Sequence, residues 1–92
     1  MPESLGRKVR IYGRVQGVFF RQWTLGQARA LGVSGWVRNC PDGTVEAHVI
    51  GDEASLDKMV EALRQGPSQA QVEDLVVEKV EPEEIEGFSV RI

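Results

Sequence analysis

The stretch Ile11-Tyr12-Gly13-Arg14-Val15-Gln16-Gly17-Val18-Phe19-Phe20-Arg21 carries a half-buried strand through two glycines and delivers an arginine to the start of an amphipathic helix. A strand–loop–helix of this kind aims several backbone N–H groups at one point. The helix N-terminus adds about half a positive charge there, and a guanidinium supplies a two-pronged fork that matches phosphate. Arg21 falls in the first helical turn, where a cation is disfavoured by roughly 0.3–1 kcal/mol. A residue that breaks the local rule in this way points to an anion held between the guanidinium and the amides.

Outward from this stretch, the hydrophobic pattern alternates between periods of two and of about 3.6. From Lys8 to Val15, the residues Val9, Ile11 and Val15 share one parity while Lys8, Arg10 and Arg14 take the other, so a strand with one wet face is expected. Phe20, Thr24, Ala28 and Leu31 form one helical stripe, closed by Gly32. Gly35 to Cys40 and Thr44 to Ile50 read as two strands joined at Cys40-Pro41-Asp42-Gly43, where Pro, Asp and Gly each favour a tight turn. On the second arm Val45, Ala47 and Val49 are expected to point inward, and Thr44, Glu46 and His48 outward.

Asp52 can cap a second helix whose Leu56, Met59, Val60 and Leu63 keep helical spacing, and Gly66-Pro67 stops it. Val72 to Val80 is rich in β-branched residues, and Phe88, Val90 and Ile92 alternate in a short last strand. The order βαββαβ with that short addition predicts an α+β fold, the ferredoxin-like split βαβ sandwich. It is expected as an antiparallel sheet with two helices on one face and the other face open to solvent.

Residues 1–92 are read as one domain, long enough for a single core. The chain is 41% hydrophobic and 27% charged, ordinary for a soluble protein, and no apolar run approaches the ~18 residues that cross a bilayer, so no membrane partner is expected. The opening Met1 to Lys8 lacks the apolar core of a secretion signal, and a lone cysteine forms no internal disulfide, which points to the cytoplasm. A net charge of −3 offers no long-range attraction to a polyanion, so nucleic acid is not an expected partner and any anion must be held by local geometry.

Gly13-Arg14-Val15-Gln16-Gly17-Val18-Phe19-Phe20-Arg21, together with Gly35-Trp36-Val37-Arg38-Asn39, Asp42-Gly43-Thr44-Val45-Glu46 and Gly51, resembles the two signatures of the acylphosphatases. Gly66 to Val72 and Gly87-Phe88-Ser89-Val90 look like later landmarks of that family. The resemblance implies hydrolysis of acyl phosphates to a carboxylic acid and inorganic phosphate without a metal, and a monomer with no cofactor is expected. Phosphate would be both product and inhibitor. By resemblance Arg21 binds the phosphoryl group, Asn39 positions the attacking water, and the loop of Val15, Gln16, Gly17, Val18, Phe19 and Phe20 supplies the amide cradle.

The chemistry of the residues agrees. Phosphoryl transfer asks mainly for charge stabilisation and in-line placement, and a carboxylate leaves with little help. An asparagine takes up no proton at neutral pH, so it can orient water without acting as a base. The sequence lacks GxxxxGK[ST], GxGxxG and any ligand cluster with metal spacing. No cysteine opens the cradle, which favours direct attack by water over a phosphoenzyme.

Plainer readings compete at each position. Arg21 as a solvated cation is opposed by the glycines before it and by the helix dipole. On spacing alone, Asn39 reads equally well as a turn residue bonding the backbone before Pro41, and only the resemblance decides between the two. Gly13 and Gly17 also suit a bulge or a tight turn. Arg14 is expected on a solvated face, Cys40 as a bystander, Trp23 and Trp36 in packing, and Glu81-Pro82-Glu83-Glu84-Ile85-Glu86 as a solvated loop. His48 is expected to be exposed or to pack. The alternative function is a non-catalytic module binding acyl phosphate or RNA, since the fold serves many roles.

Overall fold

A computed structural model describes residues 4–91. The elements run β1 (Leu5–Arg14), α1 (Phe20–Leu31), β2 (Ser34–Asn39), β3 (Val45–Gly51), α2 (Glu53–Gln65), β4 (Gln71–Val80) and β5 (Phe88–Arg91). They form one five-stranded sheet in the order β4-β1-β3-β2-β5. Ile92, expected to continve the alternation of the last strand, lies outside the described residues.

The helix boundaries follow from local chemistry. Gly32 closes α1 at φ 69°, a left-handed conformation that costs glycine nothing. Asp52 caps α2 by accepting the Ser55 N–H at 2.7 Å. Phe20, Thr24 and Ala28 of α1 and Leu56, Met59 and Leu63 of α2 are buried. They pack on Val9, Ile11, Val37, Val45, Ala47 and Val49 of the sheet, all of them 0% exposed. Each large side chain removed from water here contributes about 1.5–3 kcal/mol.

Two expectations need correction. The sheet is mixed: β5 pairs parallel to β2, with Gly35 opposite Phe88 and Arg38 opposite Arg91. β4 occupies one edge, so the segment from Glu81 to Gly87 crosses the sheet end to reach the other edge, where Gly35 N–H donates to the Gly87 carbonyl at 2.9 Å. Arriving from that side, β5 runs in the direction of β2.

The outer sheet face is not simply open to solvent. Val45, Ala47 and Val49 do point to the helices, but Thr44, Glu46 and His48 are buried as well, at 5%, 5% and 4% exposure. Arg10 and Arg38, which flank Glu46 in register, fold their guanidinium groups onto its carboxylate. Trp36 flanks His48, and Glu83 of the crossing segment lies against both. Part of the acidic run thus acts as a cover, although most of its residues are exposed.

Candidate functional site

β1 ends at Arg14, and residues 15–19 turn the chain into α1. Gly17 has φ 74° and Phe19 φ 62°, the one non-glycine residue with positive φ among those described, while Val18 between them stays on the ordinary side. Alternating handedness of this kind curls successive N–H groups toward one concave side and makes an anion nest. A bulky residue in the left-handed region costs of order 1 kcal/mol or more, strain that concentrates at working sites.

The start of α1 is chemically open. Phe19 at its N-cap makes no side-chain bond, and the first turn holds no acidic residue. The first helical bond runs from Trp23 N–H to the Phe19 carbonyl at 3.0 Å. Among the described residues, the amides from Gln16 to Gln22 find no backbone acceptor outside regular structure and no side-chain acceptor. Orphan donors at a helix start require a partner, and the described residues supply none.

Asn39 is the last residue of β2, at the entrance to the turn. Its Oδ1 is buried and has no hydrogen-bond partner. A buried oxygen left unsatisfied costs about 1–3 kcal/mol, so its presence needs an explanation. The turn itself is held by other groups. Cys40 N–H donates to the Thr44 carbonyl at 2.8 Å, and Gly43 N–H to the Cys40 carbonyl at 3.1 Å. Asp42 Oδ1 accepts from Thr44 N–H at 3.0 Å and from Thr44 Oγ1 at 2.6 Å, bonds that hold its carboxyl below the usual range, with Arg10 assisting. The side-chain-to-backbone bond that a plain turn asparagine would make is therefore made by Asp42.

Arg21 and Asn39 meet in one cleft of about 350 Å³, lined also by Val15, Gly17, Phe19, Phe20, Gln22 and Val90. Among the described residues, Arg21 is the only charged one on this lining. Phe19 stands at it 78% exposed. Two loop residues expected at the anion site do not line the cleft. Val18 turns into the core, and Gln16 sends its side chain to the hairpin, donating Nε2–H bonds to the carbonyls of Cys40 and Thr44, each at 2.8 Å. That staple was missed from sequence, because nothing local marks a partner 24 and 28 residues away.

The other singled-out residues lie elsewhere. Arg14 is exposed at the end of β1, and Cys40 is buried. Trp23 packs edge-on to Phe20 at 5.6 Å, and Trp36 lies under Arg91 at 4.6 Å. His48 sits on the outer face, where burial pushes its imidazole below the ordinary value. Among the described residues no group of three or more His, Cys, Asp or Glu could hold a metal. A larger hollow of about 1510 Å³ opens at the end crossed by residues 81–87. Five glutamates (Glu53, Glu81, Glu83, Glu84 and Glu86) line it against Arg7 and Lys79, a balance that repels phosphate.

The chain is similar over most of its length to known acylphosphatases. The family model described as Acylphosphatase matches residues 7–90. An acylphosphatase of Rhodospirillum rubrum is 52% identical over 81 residues, covering 88% of this chain and 89% of that one. One of Thermococcus kodakarensis is 53% identical over 83 residues, covering 89% and 90%. The solved structure of an acylphosphatase from Coxiella burnetii superposes with a TM-score of 0.92 at 36% identity, over 96% of this chain and 93% of that one.

Proposed function

Since the chain belongs to the acylphosphatase family of enzymes, we propose that it hydrolyses small acyl phosphates without a metal by holding the phosphoryl group on the loop amides and Arg21 while Asn39 orients the attacking water. The loop from Val15 to Phe20 and the first turn of α1 meet the phosphoryl oxygens with N–H donors. Arg21 adds the guanidinium fork, and its awkward place at the positive end of the helix dipole becomes favourable once a dianion lies between.

The water oxygen attacks phosphorus opposite the acyl oxygen. As the new P–O bond forms, the bond from phosphorus to the acyl oxygen breaks, and the carboxylate leaves with the electron pair. The water proton passes to a non-bridging phosphoryl oxygen, so no protein base is required. Asn39 Oδ1 accepts one hydrogen of that water and turns the lone pair toward phosphorus. The observation that supports this reading best is that Asn39, whose Oδ1 has no hydrogen-bond partner, and Arg21 line one cleft in which no other described residue is charged.

The alternative of an RNA-binding module is disfavoured by the outer sheet face. Its centre is taken up by the Glu46 ion pairs and by the Glu83 contacts to His48 and Trp36, where an RNA reader would present free aromatic rings among basic groups.

The test is hydrolysis of acetyl phosphate in the presence of chelator, with inorganic phosphate as inhibitor. The wild type is expected to turn over with chelator present and to be inhibited competitively by phosphate. Asn39→Ala is expected to lose about 10²-fold or more in kcat with phosphate inhibition kept, the scale of one preorganised polar group. Full activity in Asn39→Ala would remove the water-orienting role, and an inactive wild type would remove the enzyme reading for this chain.

A further inference from the structure

Gln16 lies in the loop between β1 and α1, part of which lines the cleft, yet its own side chain reaches the hairpin turn. Both Nε2 hydrogens are used, one on the Cys40 carbonyl and one on the Thr44 carbonyl, each at 2.8 Å. The amide orientation is set by these partners, because the flipped form would press Oε1 against two carbonyl oxygens. Each carbonyl already takes one bond within the turn, from Gly43 N–H and from Cys40 N–H. Gln16 fills the remaining acceptor site of both and so closes the turn from outside.

The consequence falls on Asn39. It directly precedes Cys40, and its own Oδ1 has no partner to anchor it. The position of its carboxamide relative to the loop is therefore inherited from the backbone of the turn. Among the described residues, the Gln16 bonds are the only side-chain hydrogen bonds joining residues 15–19 to residues 39–44.

We propose that Gln16 is a positioning residue for the reaction: it fixes the separation between the phosphate-holding loop and the Asn39 carboxamide, and thereby the line along which water meets phosphorus. This rests on the functional reading given above. In-line transfer is sensitive to such placement, since a misplacement of about 1 Å costs about 10²-fold in rate. On that reading phosphate affinity rests on Arg21 and the loop amides rather than on the Asn39 carboxamide. Loss of the staple should separate turnover from phosphate binding, which a general loss of stability would not do.

The experiment compares Gln16→Met, which keeps length and bulk but donates nothing, and Gln16→Glu, each alone and in the Asn39→Ala background. The readouts are kcat for acetyl phosphate and the inhibition constant of inorganic phosphate, with folding checked by circular dichroism. Gln16→Met is expected to lower kcat by about 10–10²-fold while the phosphate inhibition constant stays within about threefold. With Asn39 already replaced, the same change should alter kcat by less than about twofold, because the group it positions is gone.

In Gln16→Glu the carboxylate faces two carbonyl oxygens, whereas its protonated form donates to one of them. Its kcat relative to wild type at each pH should therefore rise as pH falls. Undiminished kcat in Gln16→Met, an equal loss in both backgrounds, or a parallel loss of phosphate binding overturns the proposal. If Gln16→Met does not fold, the pH ratio of Gln16→Glu decides, and a flat ratio overturns it. These failures leave the functional reading standing, whereas a wild type inactive on acyl phosphates removes both.

Discussion

Arg10 places Nη2 2.7 Å from Glu46 Oε2 on the sheet face away from the helices, and the Glu46 side chain is only 7% exposed there. Arg38 takes the other carboxylate oxygen through Nε and Nη2 at 3.1 and 3.0 Å. One anion is thus shared by two cations that remain partly solvated, at 32% and 41% exposure. Replacing either arginine by Met leaves Glu46 with one partner and should cost about 1 kcal/mol, the range of solvent-screened pairs. Replacing both strands a buried carboxylate, and the loss should approach 3–5 kcal/mol, more than the sum of the singles. Urea unfolding of the two single variants and the double variant tests this, and simple additivity would show that the carboxylate is not shared.

His48 makes stability depend on pH. Burial depresses its imidazole, Glu83 at 3.5 Å and Glu46 act in the opposite sense, and Lys8 and Arg91 reinforce the depression. Its Nε2 is buried without a partner, so a proton there would have nowhere to be solvated. The unfolded chain takes up a proton near pH 6.5 while the folded chain resists, so stability is full above about 6.5 and falls as pH drops toward the depressed value. Asp42 and Asp52, held low by hydrogen bonds from Thr44 and Ser55, lose their contribution only at more acidic pH. His48→Phe should flatten urea midpoints measured between about pH 5 and 7. An unchanged slope in the variant would assign the effect to other groups.

What could be read from sequence was what local chemistry encodes. Gly32 and Asp52 mark helix ends because left-handed backbone and a carboxylate cap are properties of single residues. Arg21 stood out because it opposes a dipole that exists as soon as the helix does. Asn39 was ambiguous by itself, and in the structure the side-chain bonds of the turn are made by Asp42. The parallel pairing of β5 was not legible, because strand direction at the far edge depends on where the crossing segment emerges. Nor was the burial of Glu46 and His48: alternation tells which face a side chain takes, while Arg10, Arg38 and Glu83 decide what lies over it.

From sequence Gly13 and Gly17 both suited a bulge or a tight turn, and the structure gives them different tasks. A Cβ on Gly13, at φ 125°, would sit 2.1 Å from the Gln71 carbonyl oxygen and 2.8 Å from Glu73 N, where β1 shifts register against β4. Gly17, at φ 74°, has open space around it and needs only its backbone freedom. Gly17→Ala should therefore cost about 1 kcal/mol of backbone strain, while Gly13→Ala should cost well over about 2 kcal/mol because strand backbones must separate. Thermal melts order the two directly, and equal losses would mean that the β1–β4 contact yields more easily than its geometry suggests.

Arg21 should show a trade between stability and binding. Without an anion, its charge opposes the N-terminal dipole of α1, and no acidic residue in the first turn offsets it. Arg21→Gln is therefore expected to raise the stability of the ligand-free protein by about 0.3–1 kcal/mol. Inorganic phosphate should reverse that order, since a ligand at 100 times its Kd stabilises the folded state by about 2.7 kcal/mol. The wild type and Asn39→Ala should both melt at higher temperature as phosphate is added, whereas Arg21→Gln should respond weakly or not at all. A phosphate-dependent rise in Tm that survives Arg21→Gln unchanged would place the anion elsewhere, and a less stable ligand-free Arg21→Gln would show that the guanidinium has a structural partner in the folded chain.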